Sequence, residues 1–250
     1  MTIIDIIIVS IVEGLTEFLP VSSTAHLIVV SKILNIAQTP EYITFEIVIQ
    51  LSALLALIYR YKDYKDLNIW KKVFLAFLPI AFTGFLFHKI IFSLFSSILI
   101  VVFTSIIWGL IFIVVEKIKK EKIKSLEEVN YKEALIIGIF QTFSLIPGTS
   151  RSGSTIVGGL LLGLKREVAT EFSFLLAIPT MTAATAFTIY KNVSYLTVSD
   201  INIIILGSLL SFITALISIK LFLKYVKNHS LILFGIYRIV FGIICLFLLI

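Results

Sequence analysis

Long apolar runs dominate this sequence and restrict the folds that it can adopt. A bilayer crossing takes about 20 apolar residues. Runs near that length lie at 43–59, 72–88, 97–115, 169–190, 201–221 and 231–250. Only helices and closed barrels satisfy their backbone hydrogen bonds in lipid, and these runs are too long and uniformly apolar for barrel strands. The sequence therefore predicts an all-α polytopic membrane protein with six full spans.

The composition agrees with a membrane location. The chain is 59% hydrophobic and 14% charged, with a mean hydropathy of +1.08, whereas soluble domains are about half apolar and a quarter charged. The basic residues that give the net charge of +6 lie in short loops between the apolar runs, so no nucleic-acid partner is expected. One cysteine, Cys245, excludes an intrachain disulfide. The N-terminal MTIIDIII lacks a basic region and a cleavage site, and is expected to be part of the fold.

Two further apolar regions are interrupted in the middle. The first covers 3–35 and breaks at Pro20, and the second covers 133–164 and breaks at Pro147 and Gly148. Proline and glycine interrupt helices, and halves this short cannot each cross a bilayer. Each region is therefore predicted to be a re-entrant helix–break–helix hairpin.

The order of these elements predicts an inverted repeat. Each half is one hairpin followed by three spans, over 1–116 and 133–250, and a charged cytoplasmic linker at 117–132 joins them. Both breaks read P-x-x-S, which aligns Ser23 with Ser150. Glu46 and Glu171 follow the two break prolines by 26 and 24 residues. Three spans per half require the second half to be inverted.

The basic residues predict the orientation. When the spans are threaded in order, 16 lysines and arginines fall on one side and only Lys32, Lys89 and Lys191 on the other. Positive charge marks the cytoplasmic side. We therefore expect a multi-pass protein of the bacterial inner membrane, with both termini extracytoplasmic.

The first break carries several reactive side chains, in the sequence EGLTEFLPVSSTAH at 13–26. Glu13 and Glu17 are four residues apart and share a helix face, and they can hold Mg²⁺ or Ca²⁺. Ser23 can act as a nucleophile with His26 as its base, or His26 can protonate a leaving group. Water activated by a glutamate or by the metal is an equally open alternative.

The second break, PGTSRSG at 147–153, is predicted to bind phosphate. Gly148 and Gly153 allow unusual backbone conformations, and Arg151 provides a forked donor for phosphate oxygens. The helix that follows presents free N–H groups to an anion. Ser150 or Ser152 can cap this helix, and Ser22 and Ser152 are each predicted either to contact substrate or to cap.

Further buried polar residues are predicted to support these groups. An unpaired charge at membrane depth costs roughly 2.5–3.5 kcal/mol on insertion scales, so that each must be paired, bound or hydrated. Arg238 is expected to pair with a buried glutamate. The supporting set, which can line the cavity or link helices, is Glu46, Gln50, Gln141, Glu171 and Arg238.

Both breaks resemble the signatures of a known family, the undecaprenyl-diphosphate phosphatases of the bacitracin-resistance type. The resemblance covers essentially the whole chain, and it includes FEIVIQ at 45–50, EFSFLLAIP at 171–179 and IYR at 236–238. One departure is Ala25, where glycine is common. The resemblance implies an enzyme that removes the terminal phosphate of undecaprenyl diphosphate and recycles the lipid carrier for cell-wall synthesis.

The resemblance also implies the partners and the site. It implies dependence on a divalent cation, a polyprenyl diphosphate substrate and a site that opens to the extracytoplasmic side, with membrane lipids around the chain and a homodimer as a further option. The functional residues that match by motif are Glu13, Glu17, Ser23, His26 and Arg151. A flippase or transporter of a polyprenyl phosphate is the alternative, because inverted repeats with broken helices are common in transporters. A structural scaffold leaves the buried charges unexplained.

The charge bias makes one direct prediction about topology. A cysteine placed at Lys120, in a chain whose Cys245 is replaced by serine, should resist a membrane-impermeant maleimide in intact cells and react after lysis. Labelling of position 120 from outside intact cells would exclude this orientation.

Overall fold

The computed structural model describes residues 1–94, 97–192 and 201–249, and these residues form ten α-helices and no strand. A short 3₁₀ turn, Phe143–Leu145, follows the sixth helix. The helices are α1 (Ile3–Thr16), α2 (Ser23–Ile33), α3 (Pro40–Tyr61), α4 (Leu67–Leu94), α5 (Ile98–Ile118), α6 (Tyr131–Thr142), α7 (Arg151–Leu161), α8 (Arg166–Asn192), α9 (Ile201–Asn228) and α10 (Ile232–Leu249).

The all-helical membrane fold is confirmed. Five helices, α3, α4, α5, α8 and α9, are long and apolar enough to cross a bilayer, and each contains one of the predicted spans or nearly all of it. The sixth predicted span, 231–250, is the apolar helix α10, which is shorter, and Ile250 lies outside the described residues. The two interrupted regions form the helix pairs α1–α2 and α6–α7.

The two helices that open the halves begin in the same way. Thr2 caps α1 in a capping box with Asp5, and Asn130 caps α6 in a capping box with Glu133. In each box the cap side chain accepts from the third backbone N–H, and the acidic side chain accepts from the cap N–H. These polar ends fix where each apolar helix starts.

Helix packing links the two halves closely. Helix α1 packs chiefly against α9, and α6 packs chiefly against α4. Helix α3 also contacts α9, as α8 contacts α4, and α3 and α8 touch each other. Helices α5 and α10 form the most extensive pair. Each half therefore inserts its first helix against a span of the other half.

The α5–α10 pair crosses at two glycines. A Cβ on Gly109 would lie 2.6 Å from the Gly235 carbonyl oxygen, and a Cβ on Gly235 would lie 2.7 Å from the Gly109 carbonyl oxygen. Only glycine permits this backbone approach. Because a Cβ on Gly109 would also lie 3.2 Å from Cβ of Arg238, the crossing helps to fix the position of that arginine.

The charged linker at 117–132 is anchored to the second half. Backbone groups of Lys122 and Ile123 donate to the Gly163 carbonyl at 2.7 and 3.0 Å, and Lys165 donates back to Ile123 at 2.8 Å. The buried Glu116 carboxylate accepts from Arg166 Nε at 2.9 Å and from the Leu231 N–H, at the start of α10, at 3.0 Å. One carboxylate thus joins α5, α8 and α10.

The glycine crossing predicts a stability difference between two matched substitutions. Gly109→Ala should lower the free energy of unfolding by about 1–3 kcal/mol, because overpacking against a backbone carbonyl cannot relax. Gly84→Ala is the control, since its Cβ would meet only Leu145 Cδ2, at 3.7 Å, and alanine favours helix. Thermal unfolding in detergent measures both. Equal melting temperatures for the two variants would contradict the close crossing.

Candidate active site

The first break places Ser23 at the start of a helix. Helix α1 ends at Thr16, Glu17 is its C-cap, and Ser22 caps α2 with a φ of 72°. The Ser22 hydroxyl accepts from the Ala25 N–H at 3.4 Å. Capping is therefore the task of Ser22, and the Ser23 hydroxyl remains available for other partners.

The second break has the same local form. Ser150 caps α7 with a φ of 76°, and its hydroxyl accepts from the Gly153 N–H at 3.1 Å. Left-handed conformations of residues other than glycine are strained and cluster at functional sites. The structural equivalents are therefore Ser22 and Ser150, which corrects the alignment of Ser23 with Ser150. Ser23 instead matches Arg151, the first residue of α7.

Gly148 has two reasons to be glycine. Its φ is 88°, and a Cβ there would lie 2.2 Å from Thr104 Oγ1 and 2.8 Å from the Val101 carbonyl oxygen of α5. Thr104 also donates to the Pro147 carbonyl at 2.6 Å. The second break therefore packs directly against α5.

Arg238 joins the two breaks. Its Nη1 donates to the Pro20 carbonyl at 3.1 Å and its Nη2 donates to the Gly148 carbonyl at 2.6 Å, and the residue is fully buried. The expected pairing of Arg238 with a glutamate is wrong. A second link is the Ser152 hydroxyl, which donates to the Leu19 carbonyl at 2.9 Å. Ser152 therefore ties the breaks together.

The joined breaks bring three predicted residues into one chain of contacts. The Ser23 hydroxyl donates to Glu17 Oε2 at 2.5 Å, and Arg151 Nη2 donates to Glu17 Oε1 at 3.2 Å. The Glu17 and Arg151 side chains are only 8% and 12% exposed. A carboxylate at this distance can take the proton of the serine, and the guanidinium stabilises the carboxylate.

The His26 ring forms no hydrogen bond with Ser23. Its Nδ1 lies 2.8 Å from the Ser22 carbonyl oxygen and its Nε2 lies 2.6 Å from the Tyr237 hydroxyl, while Phe241 stacks on the ring at 4.3 Å. A carbonyl only accepts, so Nδ1 carries a proton. The predicted pairing of Ser23 with His26 as its base is therefore not formed, and Glu17 occupies that place. The sequence does not identify Tyr237 as the partner of His26, although Tyr237 lies in the IYR motif.

Two cavities meet at Ser23. The smaller, about 200 Å³, is lined by residues of both breaks, including Glu17, Ser22, Ser23, Gly148, Ser150 and Arg151. The larger, about 700 Å³, is lined by residues that include Glu13, Ser23, Lys32, Glu46 and Gln50. Ser23, Thr24 and Gln50 line both. The predicted binding residues Ser152 and Gly153 are buried and line neither of these two cavities.

An apolar cavity of about 320 Å³ adjoins the smaller one. It lies between α4 and α8, with Phe77, Phe85 and Phe187 among its lining residues. Ile80 and Leu145 line both this cavity and the smaller polar one. The polar cavity and the apolar cavity therefore lie side by side and share part of their walls.

The supporting residues divide into two groups. Glu46 and Gln50 line the cavities, as predicted. Gln141 is fully buried, and its Oε1 accepts from Thr180, a residue of the smaller cavity, at 3.2 Å. Glu171 lies elsewhere, where Lys227 and Arg60 are its charged neighbours. Of the two roles predicted for Glu171, lining the cavity is not observed in either polar cavity, and the neighbouring charges are consistent with the other, a link between helices.

Relatives of this chain carry a common name. Undecaprenyl-diphosphatase of Methanococcus aeolicus is 52% identical over 251 residues, and that of Sulfurihydrogenibium is 51% identical over 248 residues, each covering 98% of both chains. That of Wolinella succinogenes is 50% identical over 252 residues, which is 99% of this chain and 98% of the relative. A family model described as Bacitracin resistance protein BacA matches residues 6–244. The chain therefore belongs to the bacitracin resistance protein BacA family.

Proposed function

We propose that this protein hydrolyses undecaprenyl diphosphate to undecaprenyl phosphate and inorganic phosphate, and so recycles the lipid carrier for cell-wall synthesis. The name that three relatives share at 50% identity or more supports this function. The observation that carries it is the contact chain from Ser23 through Glu17 to Arg151. These contacts combine a nucleophile, a base and a phosphate-binding guanidinium in one partly buried site.

The cavities suit both ends of such a substrate. Arg151 Nε is buried without a hydrogen-bond partner, which leaves a donor for a phosphate oxygen. The free N–H groups at the start of α7 favour an anion in the same place. The apolar cavity between α4 and α8 continues from there and suits the polyprenyl chain.

The chemistry follows from the contacts. Glu17 takes the Ser23 proton as Ser23 Oγ attacks the terminal phosphorus, and the bridging oxygen leaves with undecaprenyl phosphate. Water then hydrolyses the phosphoserine and restores the hydroxyl. Arg151 stabilises the charge on the transferred phosphoryl group. In the alternative, Glu17 activates a water that attacks directly, and Ser23 only positions it. His26 holds the Ser22 carbonyl and so positions the start of α2.

A divalent cation, Mg²⁺ or Ca²⁺, is part of this proposal. Around the two polar cavities the carboxylates of Glu13, Glu17 and Glu46 outnumber the cations Lys32 and Arg151, and one oxygen of Glu13 is buried without a partner. Oxygen-rich sites of this kind suit hard cations. When bound, the cation would neutralise part of the negative charge of the diphosphate.

We also propose the finer architecture that the sequence suggested. It has six spans and two re-entrant hairpins, with inverted repeats at 1–116 and 133–250. The matching capping boxes, the matching left-handed serine caps and the exchanged packing of α1 and α6 support the repeat. The loop charge supports an inner membrane location with extracytoplasmic termini. A homodimer stays a prediction.

The function predicts which substitutions abolish phosphate release from a polyprenyl diphosphate. Arg151→Ala and Glu17→Gln should each lower kcat by at least about a hundredfold, because they remove charge stabilisation and the base. EDTA should also abolish release, and added Mg²⁺ or Ca²⁺ should restore it. Purified protein and a colorimetric phosphate assay measure all three.

Two other results decide between alternatives. Substantial activity in Ser23→Ala would assign the attack to water rather than to the serine. Substrate binding without phosphate release under every metal condition would contradict the phosphatase and favour a flippase.

A further inference from the structure

His26 and Tyr237 form a contact that lies away from both polar cavities. Nε2 of His26 lies 2.6 Å from the Tyr237 hydroxyl, and Phe241 stacks on the imidazole with ring centroids 4.3 Å apart. His26 is only 8% exposed, and neither it nor Tyr237 lines the cavities that meet at Ser23. The imidazole is therefore held against α10.

Both nitrogens of this ring are engaged. Nδ1 of His26 lies 2.8 Å from the Ser22 carbonyl oxygen, which can only accept, so Nδ1 carries a proton. In the neutral ring Nε2 then holds the lone pair, and the Tyr237 hydroxyl donates to it. The neutral imidazole therefore has no unoccupied nitrogen with which to take a proton from Ser23.

The Ser22 carbonyl is the group on which this contact acts. Ser22 has a φ of 72°, a strained conformation that persists only where the surrounding structure holds it. Its carbonyl accepts from the His26 backbone N–H at 3.3 Å, and the ring adds a shorter hydrogen bond of 2.8 Å. Because the peptide unit is planar, a fixed Ser22 carbonyl fixes the plane of the peptide that leads into Ser23.

The second half of the chain has the same kind of cap without this contact. Ser150 has a φ of 76°, and its carbonyl accepts from the Ser154 backbone N–H at 3.0 Å. Ser154 occupies the position that corresponds to His26, and its hydroxyl donates to the Arg151 carbonyl instead. A left-handed serine cap therefore forms without an imidazole, and of the two breaks only the one with Ser23 has the ring.

Helix α10 holds the first break at two points. Arg238 donates to the Pro20 carbonyl at 3.1 Å. The preceding residue, Tyr237, reaches the Ser22 carbonyl through His26. Consecutive residues of one helix therefore fix two different carbonyls of the break.

We propose that Tyr237 is a positioning residue of the proposed reaction. Its hydroxyl holds the His26 ring, and the ring holds the Ser22 carbonyl. This carbonyl fixes the backbone that presents the Ser23 hydroxyl to Glu17. The inference deepens the proposed function and rests on it.

Phosphate release from a polyprenyl diphosphate by purified variants tests the role of Tyr237. Tyr237→Phe removes only the hydroxyl, and it should lower kcat at least about tenfold while changing KM less than about twofold. Tyr225→Phe is the matched control, because the Tyr225 hydroxyl donates to the Ser230 carbonyl at 3.0 Å and its ring stacks on His229. It should keep the kcat of the wild type. An unchanged kcat in Tyr237→Phe would overturn the proposal.

Two substitutions of His26 separate positioning from proton transfer. His26→Asn places an amide N–H near the position of Nδ1 and keeps a donor for Ser22, whereas His26→Gln extends toward the position of Nε2 and loses that donor. Positioning predicts at least about tenfold more activity with asparagine than with glutamine. Equal loss in both variants would assign acid–base chemistry to His26 and overturn the proposal.

A double substitution tests whether Tyr237 acts through His26. In a His26→Asn protein, Tyr237→Phe should change kcat less than about twofold, because the asparagine side chain is too short to reach the tyrosine hydroxyl. A further loss of about tenfold would make Tyr237 independent of His26 and overturn the proposal. All variants are compared as monodisperse protein. If His26→Asn does not fold, Tyr237→Phe and the spectrum described next decide.

A spectrum of the protein without substrate keeps this test separate from the test of the function. The chain has three histidines, so that protein with His88→Gln and His229→Gln, labelled with ¹⁵N-histidine, reports His26 alone. The Nε2 resonance should shift in Tyr237→Phe and stay in place in Tyr225→Phe. An unshifted resonance in Tyr237→Phe would overturn the contact. A shift in a protein that releases no phosphate would uphold the contact and contradict the proposed function.

Discussion

A buried guanidinium that holds two backbone carbonyls is the interaction on which this site depends. Arg238 is fully buried, and within the described part of the chain it forms no ion pair. Its two terminal nitrogens instead bind the carbonyls of Pro20 and Gly148. Arginine suits this task because its planar fork presents two donors at fixed separation and cannot lose its charge. The helix break in the first half of the chain is thereby held next to the helix break in the second half.

The contact between the breaks explains why the reactive residues meet. Glu17 and Ser23 flank the first break, and Arg151 follows the second, 134 residues from Glu17. Neither half alone contains both the base and the guanidinium. The close crossing of α5 and α10 at two glycines positions Arg238, and the close packing of Gly148 against α5 positions the second break. The site is therefore a product of packing between halves, with strained serine caps that leave Ser23 and Arg151 at the first position of each helix.

The sequence was sufficient for the features that local chemistry determines. Apolar run length predicted the five helices that are long enough to cross a bilayer, and the break prolines predicted the helix interruptions. It was insufficient where a shift of one residue decides the outcome. From the sequence alone, Ser22 and Ser23 are equally suitable as the N-cap of α2. Glu46 is the seventh residue of α3 and lines the larger cavity, whereas Glu171 is the sixth residue of α8 and does not. A difference of one position turns a side chain by about 100° around the helix axis.

Long-range partners were the other missing information. His26 follows Ser23 by three residues, which suggested a pair, yet its ring reaches back to the Ser22 carbonyl and across to Tyr237, 211 residues away. Tyr237 lies in the IYR motif, but nothing near it in the sequence pairs it with His26. In the same way, the two carbonyls that bind Arg238 are groups that every residue possesses, and only the packing of α10 selects them.

Phosphate release by Arg238 variants tests the central claim most directly. Arg238→Lys keeps the charge but not the fork, and Arg238→Met keeps the bulk but neither donor. If the two breaks are held together by this residue, both variants, purified as monodisperse protein, should lose at least about tenfold in kcat, equivalent to about 1.4 kcal/mol. A folded Arg238→Met variant with the kcat of the wild type would contradict the account.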